Sequence, residues 1–95
     1  MMDILKVEPK FPLGQLVATS NALTVLDSRD ISTALKRHLS GDWGDLDDHD
    51  CKANETALKR NQRLFSAYRS STGVKFWIIT EWDRSVTTVL LPEDY

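Results

Sequence analysis

A single cysteine, Cys51, among 95 residues leaves no internal disulfide available. That removes the stapled small-scaffold classes and fits a reducing compartment. No apolar run approaches the roughly 20 residues needed to span a bilayer. The N-terminal Met1, Met2, Asp3, Ile4, Leu5 and Lys6 lack the basic leader and long apolar stretch of a secretion signal. A cytoplasmic chain without a membrane partner is therefore expected. The formal net charge is only −2, so no global field announces a nucleic-acid binder. Also missing are a glycine-rich phosphate loop, a Gly-x-Ser-x-Gly elbow, a Ser-x-x-Lys pair, a Cys-x-x-Cys and a His-x-x-x-His. The familiar nucleotide-binding, hydrolase and zinc signatures are excluded, and no cofactor is expected.

What remains is an ordinary globular composition, with 41% hydrophobic and 27% charged residues, enough for one domain with one modest core. Residues 1–50 carry nine acidic and five basic side chains, and residues 51–95 carry five acidic and seven basic ones. The halves thus differ in sign. Pro9 and Pro12 make residues 1–12 an extended arm and a candidate edge strand, leaving 13–95 as the domain. Gly14 to Thr19 reads as a short strand or a lead-in.

Ser20 and Asn21 are good helix caps ahead of Leu23, Val25 and Leu26, which predicts a short helix near 21–27. Asp30 then caps a longer helix, because Ile31, Ala34, Leu35, His38 and Leu39 fall on one stripe. Lys36, Arg37 and His38 suit its last turn, and Gly41 its end. Asp47 or Asp48 caps a third helix running to about Asn61. From Gln62 the period changes to two. Leu64 to Arg69, Val74 to Trp82 and Ser85 to Leu91 read as strands, and their short separators make two hairpins. The expected architecture is α+β: two or three N-terminal helices on a C-terminal three-stranded antiparallel meander, with the N-terminal edge strand as an option.

Between His38 and Asp50 lie five aspartates, two glycines, two histidines and Trp43, a mixture that no simple amphipathic element needs. Asp42, Asp45, Asp47, Asp48 and Asp50 offer oxygen ligands for a divalent metal. Read as a calcium loop from Asp45, however, Asp50 takes the place of the required glycine and Glu55 falls one place short of the closing glutamate. The simpler duty is capping the third helix. Cys51 is a poor nucleophile beside so many carboxylates, which raise a thiol's pKa. Trp43 is expected to pin the loop to the sheet, while Trp77 and Trp82, placed on opposite strand faces, are core anchors or contact residues.

Three functional readings follow. In the first, the domain binds a protein or nucleic acid through His38, Asp42, Trp43, Asp45, Arg69 and Arg84. In the second it is a metal-independent ribonuclease. Helices followed by an antiparallel sheet bearing His, Arg, Thr and Tyr resemble, at fold level, barnase and the RelE-like toxin nucleases. The second reading would use His38, Tyr68, Arg69, Thr80, Arg84 and Thr88, with the arginines on phosphate and His38 moving the proton. A divalent-metal-binding module is a third.

Three segments, Leu13–Thr19, His38–Asp45 (His-Leu-Ser-Gly-Asp-Trp-Gly-Asp) and Phe76–Tyr95, together resemble a family of short bacterial plasmid-related proteins carried on plasmids and integrated elements. The resemblance covers most of 13–95, and Gly-Asp-Trp-Gly-Asp is its most specific part. It implies a bacterial cytoplasm and a link to mobile-element maintenance or host defence. It transfers no catalytic role.

Overall fold

The computed structural model describes residues 8–95. The element order is β1 (Gln15–Ala18), α1 (Ser20–Val25), α2 (Ser28–Leu39), α3 (Asp48–Arg60), β2 (Leu64–Arg69), β3 (Lys75–Thr80), β4 (Val86–Leu90) and a terminal 3-10 turn, Pro92–Asp94. The fold is α+β. The sheet, however, has four strands in the order β1-β4-β3-β2. Its β2-β3-β4 part is the expected antiparallel meander. The correction is β1, which pairs parallel to β4 from Gln15↔Val86 to Ala18↔Val89 and makes the sheet mixed. This edge strand lies in 15–18 and not in the arm. Residues 1–7 of the arm lie outside the described residues; its remainder makes no strand, and the Lys10 amide donates to the Leu39 carbonyl at 2.9 Å.

Local chemistry explains the boundaries. Asp27, not Asp30, caps α2, its carboxylate accepting from the Arg29 amide at 2.8 Å. Asp30 instead reaches the β2–β3 turn, accepting from the Ser71 amide and hydroxyl at 3.1 and 2.9 Å. Asp47 caps α3 through the Asp50 amide, and Asn61 ends the helix in the left-handed region. Trp82 lies beyond β3, in the β3–β4 turn, and is 64% exposed.

Strand pairing sorts the sheet residues onto two faces. Leu64, Ser66 and Tyr68 align with Thr80, Ile78 and Phe76, and the last two strands bring Val89 and Thr87 beside them. This is the face that the helices cover. Ala22, Leu26 and Ala34 pack on Tyr68, Phe76, Ile78 and Val89, while Phe11, Trp43, Ala57 and Leu64 form a second cluster. The opposite face carries Phe65, Arg69, Lys75, Trp77 and Ile79. There Phe65 meets the Trp77 ring edge-on at 5.0 Å, and the C-terminal Tyr95 meets it from another side at 5.8 Å.

Candidate functional site

His38 is completely buried. Both ring nitrogens are occupied: Nδ1 lies 2.6 Å from Ser66 Oγ and Nε2 lies 2.9 Å from Thr80 Oγ1. The tautomer follows from proton accounting. Thr87 donates its one hydroxyl proton to the Leu13 carbonyl at 2.8 Å, so the 2.7 Å contact between Thr80 and Thr87 has Thr80 as donor. Thr80 then has no proton left for the ring. His38 Nε2–H must donate to Thr80, and Ser66 donates to Nδ1. The result is a polarised chain from Ser66 through His38, Thr80 and Thr87 to Leu13, with every member satisfied.

Aromatic walls seal this chain. Phe11 stands edge-on to the imidazole at 5.2 Å and Trp43 at 5.8 Å. Burial, and secondarily the Arg84 charge, push the His38 pKa down to about 4. The ring is therefore neutral at pH 7, and both of its nitrogens are engaged within the interior.

The rest of the His38–Asp50 stretch folds around the seal. Trp43 is 3% exposed, with its indole N–H donating to Glu55 at 2.9 Å. Its carbonyl accepts from the Ala67 amide, and the Asp45 amide donates to the Ala67 carbonyl at 2.7 Å. Gly44 bridges β2 between them, and at its φ of +78° a Cβ would lie 2.0 Å from the Ala67 carbonyl oxygen. Asp42 is held by Arg37 through two bonds of 2.8 and 3.2 Å, which lower the carboxylate pKa. The Asp42 carbonyl accepts from the Tyr68 hydroxyl at 2.7 Å, and burial pushes that phenol up to about 12. Burial first, then Asp48, Asp47 and Asp50, raise the Cys51 thiol pKa. Among the described residues, no three His, Cys, Asp or Glu side chains gather to hold a metal ion.

Arg84 is committed to the protein as well. Its guanidinium donates to the carbonyls of Ala57, Gln62 and Glu81 at 3.1, 2.6 and 3.1 Å, finishing the C-terminal end of α3. Burial lowers its pKa.

The residues singled out in the sequence therefore separate. Of the binding set, His38 and Trp43 are interior and Arg84 caps a helix, while Asp42, Asp45 and Arg69 are exposed. The ribonuclease set divides too: Tyr68 and Thr80 are buried on the helix-covered face, and Arg69 and Thr88 lie on the opposite one.

The open face assembles a different group. Arg69 and Lys75 are directly opposed across β2 and β3, both exposed. The nearest carboxylate to Arg69 is Asp45 at 3.7 Å. The next non-adjacent pair on this face, Ala67↔Trp77, sets the half-buried indole beside the two cations. A cleft of about 410 Å³ lies on one side of Trp77, lined by Asp45, Arg69 and Lys75. A second, of about 280 Å³, lies on the other, lined by Arg63, Phe65, Ile79 and Tyr95. Arg63 donates to the Tyr95 hydroxyl at 2.9 Å and to Glu81 at 3.2 Å. Sequence reasoning missed Lys75, Arg63 and Tyr95. One signal was present: the short turn from Ser70 to Val74 makes residues 69 and 75 partners.

No helix of the described residues is long and apolar enough to cross a membrane. In comparisons with known proteins, no family model, no curated protein and no solved structure matches the chain.

Proposed function

We propose that this domain is a non-catalytic binding module for single-stranded nucleic acid, docked across the open face of the sheet. The observation that carries the reading is the Arg69↔Lys75 pair beside Trp77. Like charges placed directly opposite across two strands cost stability, and the exposed Asp45 carboxylate 3.7 Å from Arg69 offsets little of that cost. A phosphate between the two cations would offset it. An aromatic ring next to a paired cation site is the arrangement that binds single strands, the base stacking on the ring while the backbone is neutralised. The chain's slight negative charge does not oppose this, because the field that matters is local. With the resemblance to plasmid-related proteins, the reading describes a nucleic-acid-binding accessory of a bacterial mobile element.

Fluorescence anisotropy with labelled RNA and DNA single strands of about 12 nucleotides tests the proposal. The expected result is salt-sensitive binding that weakens at least about tenfold in the Arg69→Glu/Lys75→Glu double variant. If two phosphate contacts are lost, the slope of log K against log salt should become shallower by about 1.4. Equal binding by the folded double variant, or no binding by the wild type at low salt, would refute it.

A further inference from the structure

The two edges of the sheet are finished differently. At the β2 edge, Asn54 grips the Phe65 main chain, donating to its carbonyl at 2.7 Å and accepting from its amide at 3.0 Å. The Trp43–Asp45 loop takes both main-chain groups of Ala67. Pairing with another strand is blocked there. At the β1 edge the Gln15 and Thr19 amides turn inward to Ser85 and Val89 of the β4 side, so the main-chain groups of Leu16 and Ala18 point outward. Among the described residues, no hydrogen bond reaches them. Its shortness is the only usual guard: β1 reads Gln-Leu-Val-Ala, four residues with no charge, no proline and no bulge.

Beside that edge lies an apolar groove of about 390 Å³ formed by Leu16, Ala18, Leu23 and Ile31. Leu16 is 47% and Leu23 61% exposed.

We infer that β1 pairs antiparallel with β1 of a second copy, joining two four-stranded sheets into one. The outward groups allow a register in which Leu16 of one copy faces Ala18 of the other, which puts the two-fold axis at Val17 and forms about four main-chain hydrogen bonds. This register is self-complementary in shape: the small Ala18 leaves room for the partner's leucine side chain to enter the groove against Leu23 and Ile31. It is also free of electrostatic cost, since a neutral strand meets its own copy without repulsion. Association must stop at two, because the β2 edge is closed by Asn54 and the loop. The pair would carry two open faces on one continuous sheet, and it stands independently of what those faces bind.

A four-residue strand gives a small interface of the transient kind, so sedimentation should be followed from about 10 μM to about 1 mM. The wild type should move from monomer to dimer across that range, with no larger species. Ala18→Pro removes an amide that the β1–β4 ladder does not use and should remain monomeric. Leu16→Lys, which keeps the backbone intact, should do the same and guards against a folding defect in the proline variant. A wild type that stays monomeric at the highest concentration overturns the inference. So does a dimer that survives both substitutions, or a ladder of higher oligomers. If the monomer nevertheless shows slow amide exchange at Leu16 and Ala18, and deletion of residues 1–7 abolishes it, the occupant of the edge is the N-terminal arm and the inference fails.

Discussion

Each face of this sheet carries an exception to the simple rule of apolar inside and polar outside. The helix-covered face buries a histidine, two threonines and a serine among its apolar residues, while the open face holds half-buried tryptophan and phenylalanine beside two exposed cations. Hydrogen-bond satisfaction accounts for the first. Every polar group in the His38 chain has a partner, so its burial costs little and fixes a unique packing of α2 on the sheet. On the second, aromatic packing of Trp77 on Phe65 and Tyr95 accounts for the rings, but the Arg69↔Lys75 repulsion costs stability that the exposed Asp45 pair offsets little, and such a cost is where function is best sought.

The contrast can be broken from the buried side first. His38→Ala removes a fully enclosed side chain and strands Ser66 and Thr80, so a loss of about 3–5 kcal/mol is expected in urea unfolding, enough to lower Tm by more than about 10 °C. A loss under about 1 kcal/mol would mean that the polar chain is replaceable by water. Gly44→Ala drives a Cβ into the Ala67 carbonyl at a positive φ and should cost about 3 kcal/mol. Amide exchange at Ala67 should quicken in that variant, and unchanged protection would speak against the loop as an edge guard.

Acid acts on the same face. His38 has a pKa of about 4 when folded against 6.5 in its ordinary state, so between those values the unfolded chain holds the extra proton. Stability from this group is complete above pH 6.5 and is lost as pH falls toward 4, by about 3 kcal/mol. Denaturant titrations across that window should show the slope in the wild type and its absence in His38→Gln; equal slopes would place the titrating group elsewhere.

The open face should behave in the opposite way. Lys75→Glu turns a repulsive pair into an attractive one opposite Arg69 and should stabilise the fold by about 0.2–1 kcal/mol while weakening nucleic-acid binding. A destabilised variant would show that Lys75 serves the fold and remove the main argument for function.

Much of the fold was legible in the sequence and much of the site was not, for one physical reason. Periodicity reports which residues share a face, so the stripe of α2, the hairpins and the exact span of β2 could be read. It does not report which distant elements meet. Four neutral residues at 15–18 gave no sign that they would join β4 in parallel, because the partner is 71 residues away in register. Likewise the cap position of α2 moved from Asp30 to Asp27, since either aspartate suits a helix start and only the Ser71 turn decides what Asp30 does. His38 was placed correctly on its stripe, but its hydroxyl partners come from two strands 28 and 42 positions away. A histidine near an aspartate-rich loop looks like chemistry until those partners are seen.

On the proposed reading the sealed face holds the fold and the open face meets the ligand. The three tryptophan indole N–H signals report on it in a single NMR titration with a single-stranded oligonucleotide: Trp43 is buried as part of the seal, Trp77 lies on the open face and Trp82 in the exposed turn. The Trp77 signal should shift and saturate while that of Trp43 stays in place. A Trp43 signal that moves while Trp77 does not would contradict it.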